Sequence, residues 1–211
     1  MPITRRAFRT TLIVFLVILG ICVVAAGNTT ASVMRAYVMS SGSMERTLLI
    51  GDRFLVRPLV SQTIPRGEMV QMSNPLDESQ TWIKRVVAVG GDRIHLRDKA
   101  LFLNGSAVSE PYVTHSTSYI DSFRDDFPGA PTSLLPGDWA DYLKRNVVNG
   151  EIVVPQGKYF VLGDNRDNSL DSRYVGFVDR QQIIGKPVFI YLSIDSTHGF
   201  VIRWNRMFKG L

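Results

Sequence analysis

Trp82-Ile83-Lys84-Arg85-Val86-Val87-Ala88-Val89, followed by Gly90-Gly91-Asp92, reads as a buried β-strand running into a turn. Branched and aromatic side chains suit a pleated surface, and the glycines and aspartate tolerate the backbone angles that a turn demands. Similar short runs lie on either side, at 53–56, 69–72, 93–97, 100–103, 159–162 and 187–192, with the first run itself at 81–89. Between them stand Gly51-Asp52, Asn104-Gly105, Asn149-Gly150 and Gly163-Asp164-Asn165. Short strands punctuated in this way predict a mainly β domain. The pattern breaks over 106–149, where Pro111, Pro128, Pro131 and Pro136 sit among polar and aromatic residues. That stretch reads as an inserted irregular lobe with a short helix over 138–145.

Upstream of the β pattern, Leu12 to Ala26 carries no charge. A helix of roughly 18 residues just spans the hydrocarbon core of a bilayer. Arg5, Arg6 and Arg9 precede the run and only Arg35 follows closely, so the positive-inside rule puts the N-terminus in the cytoplasm and the rest across the membrane. Val24-Ala25-Ala26 also resembles a signal-peptide cleavage site, but the run is longer than the usual apolar segment of about 7–15 residues, which favours a retained anchor. Either reading exports the body of the protein. The expected organisation is a cytoplasmic segment at 1–9, an anchor at 10–27, a tether at 28–36, and a β domain from 37–105 and 150–211. The lobe at 106–149 interrupts that domain.

The chain has 211 residues and a formal net charge of +5, with its basic residues dispersed among acids. No nucleic-acid partner is expected from such a distribution, and attraction to anionic lipid headgroups is the natural use of the excess. The single cysteine, Cys22, lies in the apolar run, which rules out an intrachain disulfide and a cysteine metal site.

Within the decisive strand, Lys84 is the residue with chemical potential. A lysine amine becomes a base when burial lowers its pKa, whereas an arginine such as Arg85 stays protonated. Period-two alternation leaves open which of the two points inward. A nucleophile for such a base stands in Ser41-Gly42-Ser43-Met44, where glycine permits a tight turn and close backbone approach. Histidine offers less: His95, His115 and His198 sit in strand-like, irregular and C-terminal surroundings, and neither G-x-S-x-G nor H-E-x-x-H occurs. The polar segment 163–173 has no frame that matches a calcium loop. It reads instead as a rigid loop in which Asp171 and Arg173 pair and Ser169 orients a buried amine.

Together these segments resemble the bacterial type I signal peptidases, membrane-anchored Ser/Lys endopeptidases. Ser41-Gly42-Ser43-Met44 with Thr47-Leu48-Leu49-Ile50-Gly51-Asp52 is similar to the family's nucleophile box. Arg66-Gly67-Glu68-Met69-Val70 resembles its R-G-D box, Ile83-Lys84-Arg85-Val86-Val87 with Gly91-Asp92 its lysine box, and residues 163–173 its last box. Phe102-Leu103-Asn104-Gly105 and Glu110-Pro111-Tyr112 add to the likeness, which spans residues 37–192.

The resemblance implies Ser43 as nucleophile, Lys84 as general base, and Ser43 N–H with the Ser41 hydroxyl as the oxyanion hole. It gives Ser169, Asp171 and Arg173 the tasks of orienting the lysine and supporting its loop. Met39, Leu48, Trp82 and Ile83 then line shallow pockets for small side chains, in keeping with cleavage after an Ala-x-Ala-like sequence. The implied substrates are exported preproteins with signal peptides, and the implied address is the bacterial inner membrane, with no metal or cofactor. Three positions depart from the pattern: Ser40 and Arg46 stand where prolines are usual, and Glu68 replaces an aspartate. Loss of a φ-fixing proline predicts a looser loop unless new contacts compensate. Arg46 motivates an alternative, a peptidase dedicated to one secretion or conjugation system. A membrane-tethered β domain that binds exported peptides without cutting them is a third reading.

Overall fold

The computed structural model describes residues 33–61, 63–129, 139–195 and 199–211. Residues 1–9, the apolar anchor at 10–27 with Cys22, the tether as far as 32, the part of the lobe at 130–138 and His198 lie outside the described residues. Among the described residues no helix is long and apolar enough to cross a membrane.

The first half of the chain forms β1 (Arg35–Val38), β2 (Asp52–Pro58), β3 (Met69–Asn74), β4 (Asp77–Val89), β5 (Arg93–Arg97), β6 (Ala100–Leu103) and β7 (Ser106–Ala107). Helix α1 (Trp139–Arg145) leads into β8 (Val147–Val148), β9 (Glu151–Val153) and β10 (Lys158–Leu162), and helix α2 (Ser172–Val175) follows. The chain closes with β11 (Val178–Asp179), β12 (Ile183–Asp195), β13 (Val201–Ile202) and β14 (Lys209–Gly210). Every run read as a strand lies inside one, and the expected helix is present from Trp139.

The larger sheet has the order β1-β2-β12-β3-β4-β10-β11, with β13 and β14 also paired to β12. The smaller sheet runs β7-β6-β5-β9-β8. Every strand pairing is antiparallel among the described residues. Local chemistry accounts for much of this. In β2, Asp52, Phe54 and Val56 are buried while Arg53 and Arg57 face out, the two-residue period of a strand with one covered face. Asn104-Gly105 and Asn149-Gly150 take positive φ at both positions, the two-residue turns that join β6 to β7 and β8 to β9.

β4 is the strand that positions the site. Its N-terminal part pairs with β3 through Met72↔Trp82, Gln71↔Ile83 and Val70↔Lys84. Its other edge meets β10 only from Arg85 to Val89. Residues 77–84 therefore present one edge that is unpaired among the described residues. Three apolar clusters hold the sheets: Met44, Leu48, Phe54 and Ile83 in one; Val70, Met72, Val86 and Val161 in a second; Ile94, Phe127, Phe160 and Phe177 in the third. Full burial of each such side chain contributes about 1.5–3 kcal/mol, enough together to fix a register that a one-residue slip would turn inside out.

Residues at two boundaries behave differently from the linear reading. Arg35 and Ala36, read as the end of the tether, are the first residues of β1 and pair with Val56 and Leu55. Four half-exposed residues carry no strand signal by themselves, so the pairing is decided by β2. Residues 110–117, read as part of the lobe, are joined to the loop after β10: Thr114 bridges Asn165, accepting from Arg166 N–H and donating to Asp164 C=O.

Candidate active site

The serine turn is built from its apolar neighbours. Gly42–Met44 forms a single 3-10 turn closed by Glu45 N–H on Gly42 C=O, 3.1 Å. Met44 and Leu48 are wholly buried and anchor the turn in the cluster with Phe54 and Ile83. The N–H groups of Gly42, Ser43 and Met44 precede the first bond of the turn and so have no acceptor within it. From the other side, Asn165 N–H donates to Ser43 C=O at 3.0 Å. Gly163 makes that approach possible. A Cβ on it would lie 2.3 Å from Ser169 Oγ and 2.5 Å from Ser43 O, so no other residue fits without movement.

Lys84 is 3% exposed, and its Nζ donates to Ser169 Oγ at 3.1 Å while lying 5.4 Å from the centre of the Trp82 ring. Burial lowers its pKa from the ordinary 10.5 to about 8; Asp171 and Asp164 pull the value up and Arg173 pulls it down. A substantial neutral fraction at physiological pH follows, which an exposed lysine lacks.

Ser43 and Lys84 line one groove of about 350 Å³, together with Ser41, Met39, Trp82 and Ile83. Leu48 lies beneath the serine turn in the core and does not line the groove. The Ser43 hydroxyl is 3.2 Å from that of Ser41, and no hydrogen bond joins it to Lys84 among the described residues. His95 is stacked on Phe102 and bonded to Glu151, and His115 is bonded to Asp167; neither lines the groove.

The loop that carries Ser169 is held by buried ion pairs. Asp171 caps α2, receives Gly163 N–H at 3.1 Å and pairs with Arg173 through Nε and Nη2, each at 2.8 Å. Burial alone would raise the Asp171 pKa, but the Arg173 guanidinium more than offsets this and holds it below the usual carboxylate range. Arg173 also donates to Arg166 C=O and Arg124 C=O. Removing one partner of such a buried pair typically costs about 3–5 kcal/mol.

A second pair was open in the sequence and is resolved by the fold. Arg85, whose direction alternation left open, is buried and forms a two-pronged pair with Asp164, at 2.8 and 2.6 Å. Asp164 also accepts from Thr47 Oγ1 at 2.6 Å, so one carboxylate joins the lysine strand to the serine turn. Glu110 and Arg166 pair at 2.6 Å, and the Tyr112 ring lies 3.9 Å from the Arg85 guanidinium. These supports escaped the linear reading because the partners are far apart in sequence. The clustered charges of 163–173 and the Glu110-Pro111-Tyr112 likeness were the available signals.

The departures acquire physical form here. Arg46 has φ 79°, a region closed to proline, and its Nη1 donates to Val113 C=O at 3.1 Å. Glu45 accepts from Asn165 Nδ2 at 3.1 Å, and Glu68 pairs with Lys186. Arg46 and Glu45 thus tie the serine turn to the segments at 113 and 165.

A serine in a tight turn and an amine kept partly neutral by burial equip a protein to attack an acyl carbonyl and take up the proton released. Such a pair defines a candidate serine hydrolase site with an amine in the place where others have imidazole. Comparison with known proteins narrows it. The family model described as signal peptidase, peptidase S26, matches residues 10–192, and the chain belongs to that family. Signal peptidase I of Aquifex aeolicus is 33% identical over 196 residues, covering 76% of this chain and 77% of that protein. Signal peptidase I of Bacillus licheniformis is 30% identical over 178 residues, covering 83% of this chain and 86% of that protein. A crystal structure of a signal peptidase I from Enterococcus faecalis is 28% identical, covers 59% of this chain and 96% of that one, and superposes with a TM-score of 0.39. Membership rests on the sequence matches, not on that superposition.

Proposed function

We propose that this serine endopeptidase removes signal peptides from exported preproteins with Ser43 as nucleophile and Lys84 as general base. The observation that carries the assignment is the buried, low-pKa amine of Lys84 in the same groove as Ser43. Catalysis requires the Ser43 hydroxyl to turn from Ser41 towards Lys84, since hydrogen bonds of this kind often tighten only when substrate is bound. The exchange frees the Ser41 hydroxyl to donate, with Ser43 N–H, to the oxyanion.

In the first step Ser43 Oγ bonds to the scissile carbonyl carbon and its proton passes to Lys84 Nζ. The tetrahedral intermediate then collapses, the C–N bond breaks, and Lys84 returns the proton to the departing amine of the mature protein. Water attacks the acyl-enzyme and gives a proton to Lys84, the ester C–O bond breaks, Lys84 passes that proton to Ser43 Oγ, and the signal peptide leaves with a free carboxyl group. Ser169 holds the amine in place throughout, with Asp171 and Arg173 fixing the loop behind it. Met39, Trp82 and Ile83 form the wall against which substrate side chains rest, and the open edge of β4 over 77–84 offers backbone partners to an extended peptide. Leu48 acts through Ser43, by supporting its turn.

The same reading places the β domain on the outer side of the bacterial inner membrane. An apolar anchor at 10–27 and a short tether keep it near substrates that arrive within the bilayer, and tethering turns a bimolecular search into a local one. Arg46 is absent from the groove lining and fastens the serine turn to Val113, which favours a structural role over a narrowed substrate range. The test is cleavage of a precursor with an Ala-x-Ala site by the full chain and by Ser43→Ala and Lys84→Met. Both variants should fold yet release no product. Normal turnover by either one overturns the assignment.

A further inference from the structure

Gln71 is a polar side chain in a place built for apolar ones. It lies on β3 directly across from Ile83, is wholly buried, and lines the groove beside Met39, Phe54 and Ile83. Its Nε2 donates to Thr81 Oγ1 at 3.0 Å. Among the described residues its Oε1 has no hydrogen-bond partner. Reversing the amide does not cure this. Thr81 presents a hydroxyl, which can donate or accept, so it satisfies one end of the amide in either orientation, and the other end stays buried in the groove wall.

A buried, half-satisfied amide carries the desolvation penalty of its unpaired atom until a ligand supplies the missing bond. The ligand that serves both amide orientations is a hydroxyl, because it too donates and accepts. The surrounding wall of Met39, Phe54 and Ile83 sets the other requirement, a small side chain with an aliphatic body. We propose that Gln71 makes one subsite of this groove selective for serine or threonine in the bound peptide. The inference rests on the endopeptidase reading above and adds to it a residue that sets specificity. An apolar substrate side chain at that position leaves the amide dry and unpaired, and a site built for a hydroxyl discriminates strongly against analogues that lack one.

The experiment uses the full chain and a host precursor peptide whose small residues are all alanine. Threonine and its isostere valine are placed at each position flanking the cut in turn, and kcat/KM is measured for each pair. At one position the wild type should favour threonine by at least roughly tenfold, the net worth of one neutral hydrogen bond. In Gln71→Val that preference should vanish or invert, and Gln71→Met, which keeps the length of the side chain, should behave alike. A wild-type ratio within about twofold at every position overturns the inference and assigns the unpaired atom to bound water. So does a threonine preference that survives in both variants. If neither variant folds, the wild-type series alone decides. Failure to cut the alanine host tests the endopeptidase reading instead, so the two failures are distinguishable.

Discussion

With Lys84 as the base, kcat/KM for a precursor peptide follows the neutral fraction of its amine. At a pKa of about 8, roughly one amine in ten is neutral at pH 7 and roughly nine in ten at pH 9. The rate should therefore rise about tenfold over that interval, with a midpoint near pH 8 and a plateau above it. At the ordinary value of 10.5, only about one amine in three thousand is neutral at pH 7, and the rate climbs about a hundredfold to pH 9 without levelling. Stability gives an independent reading of the same shift. Because the folded pKa lies below the unfolded one, the unfolded chain holds the extra proton between about pH 8 and 10.5, and the penalty on the folded state is present in full below that window. It fades as pH rises through the window, adding roughly 3 kcal/mol in favour of the fold. Other groups titrate there too, so the informative quantity is the difference between the wild type and Lys84→Met in urea unfolding at each pH. A rate profile flat from pH 7 to 9, or a midpoint near 6.5 as for histidine, refutes the assignment of the base. A stability slope unchanged in Lys84→Met refutes the burial argument.

Gly163→Ala drives a methyl group into Ser169 Oγ and Ser43 O. Strain of that kind costs about 1–3 kcal/mol in thermal or urea unfolding, and kcat should fall more than KM changes, because the clash lies between Ser43 and the serine that holds Lys84, the proposed nucleophile and base, rather than on the substrate wall. Arg46→Pro restores the residue usual in the family, yet it demands a negative φ where this chain has 79°. It should lower stability by roughly 1–3 kcal/mol and reduce turnover; a gain in both would show that the serine turn adopts another backbone.

Local chemistry made much of the fold readable. The turns at Asn104-Gly105 and Asn149-Gly150 follow from residues that tolerate positive φ, and the strands follow from runs that only a pleated, buried surface suits. β1 was not readable, because Arg35–Val38 is short and half exposed and becomes a strand only by pairing with β2. The candidate site divides in the same way. Ser43 and Lys84 stand out by residue type and context. The role of Glu110, Tyr112 and Val113 does not, since they gain meaning only when the chain returns to lie against the loop at 163–173.

By itself the sequence determined a β-class protein, its turn positions, and a serine and a lysine in the order of a known peptidase family, because turn chemistry and hydrophobic periodicity act between near neighbours. Only the tertiary structure decided that Lys84 is buried on Ser169 while its neighbour Arg85 is paired with Asp164, that Leu48 supports the serine turn from below, and that Gln71 lines the groove with its Oε1 unpaired among the described residues. The reason is physical: a pKa, a desolvation penalty or an unpaired amide is set by every group packed around it, and those groups come from distant parts of the chain.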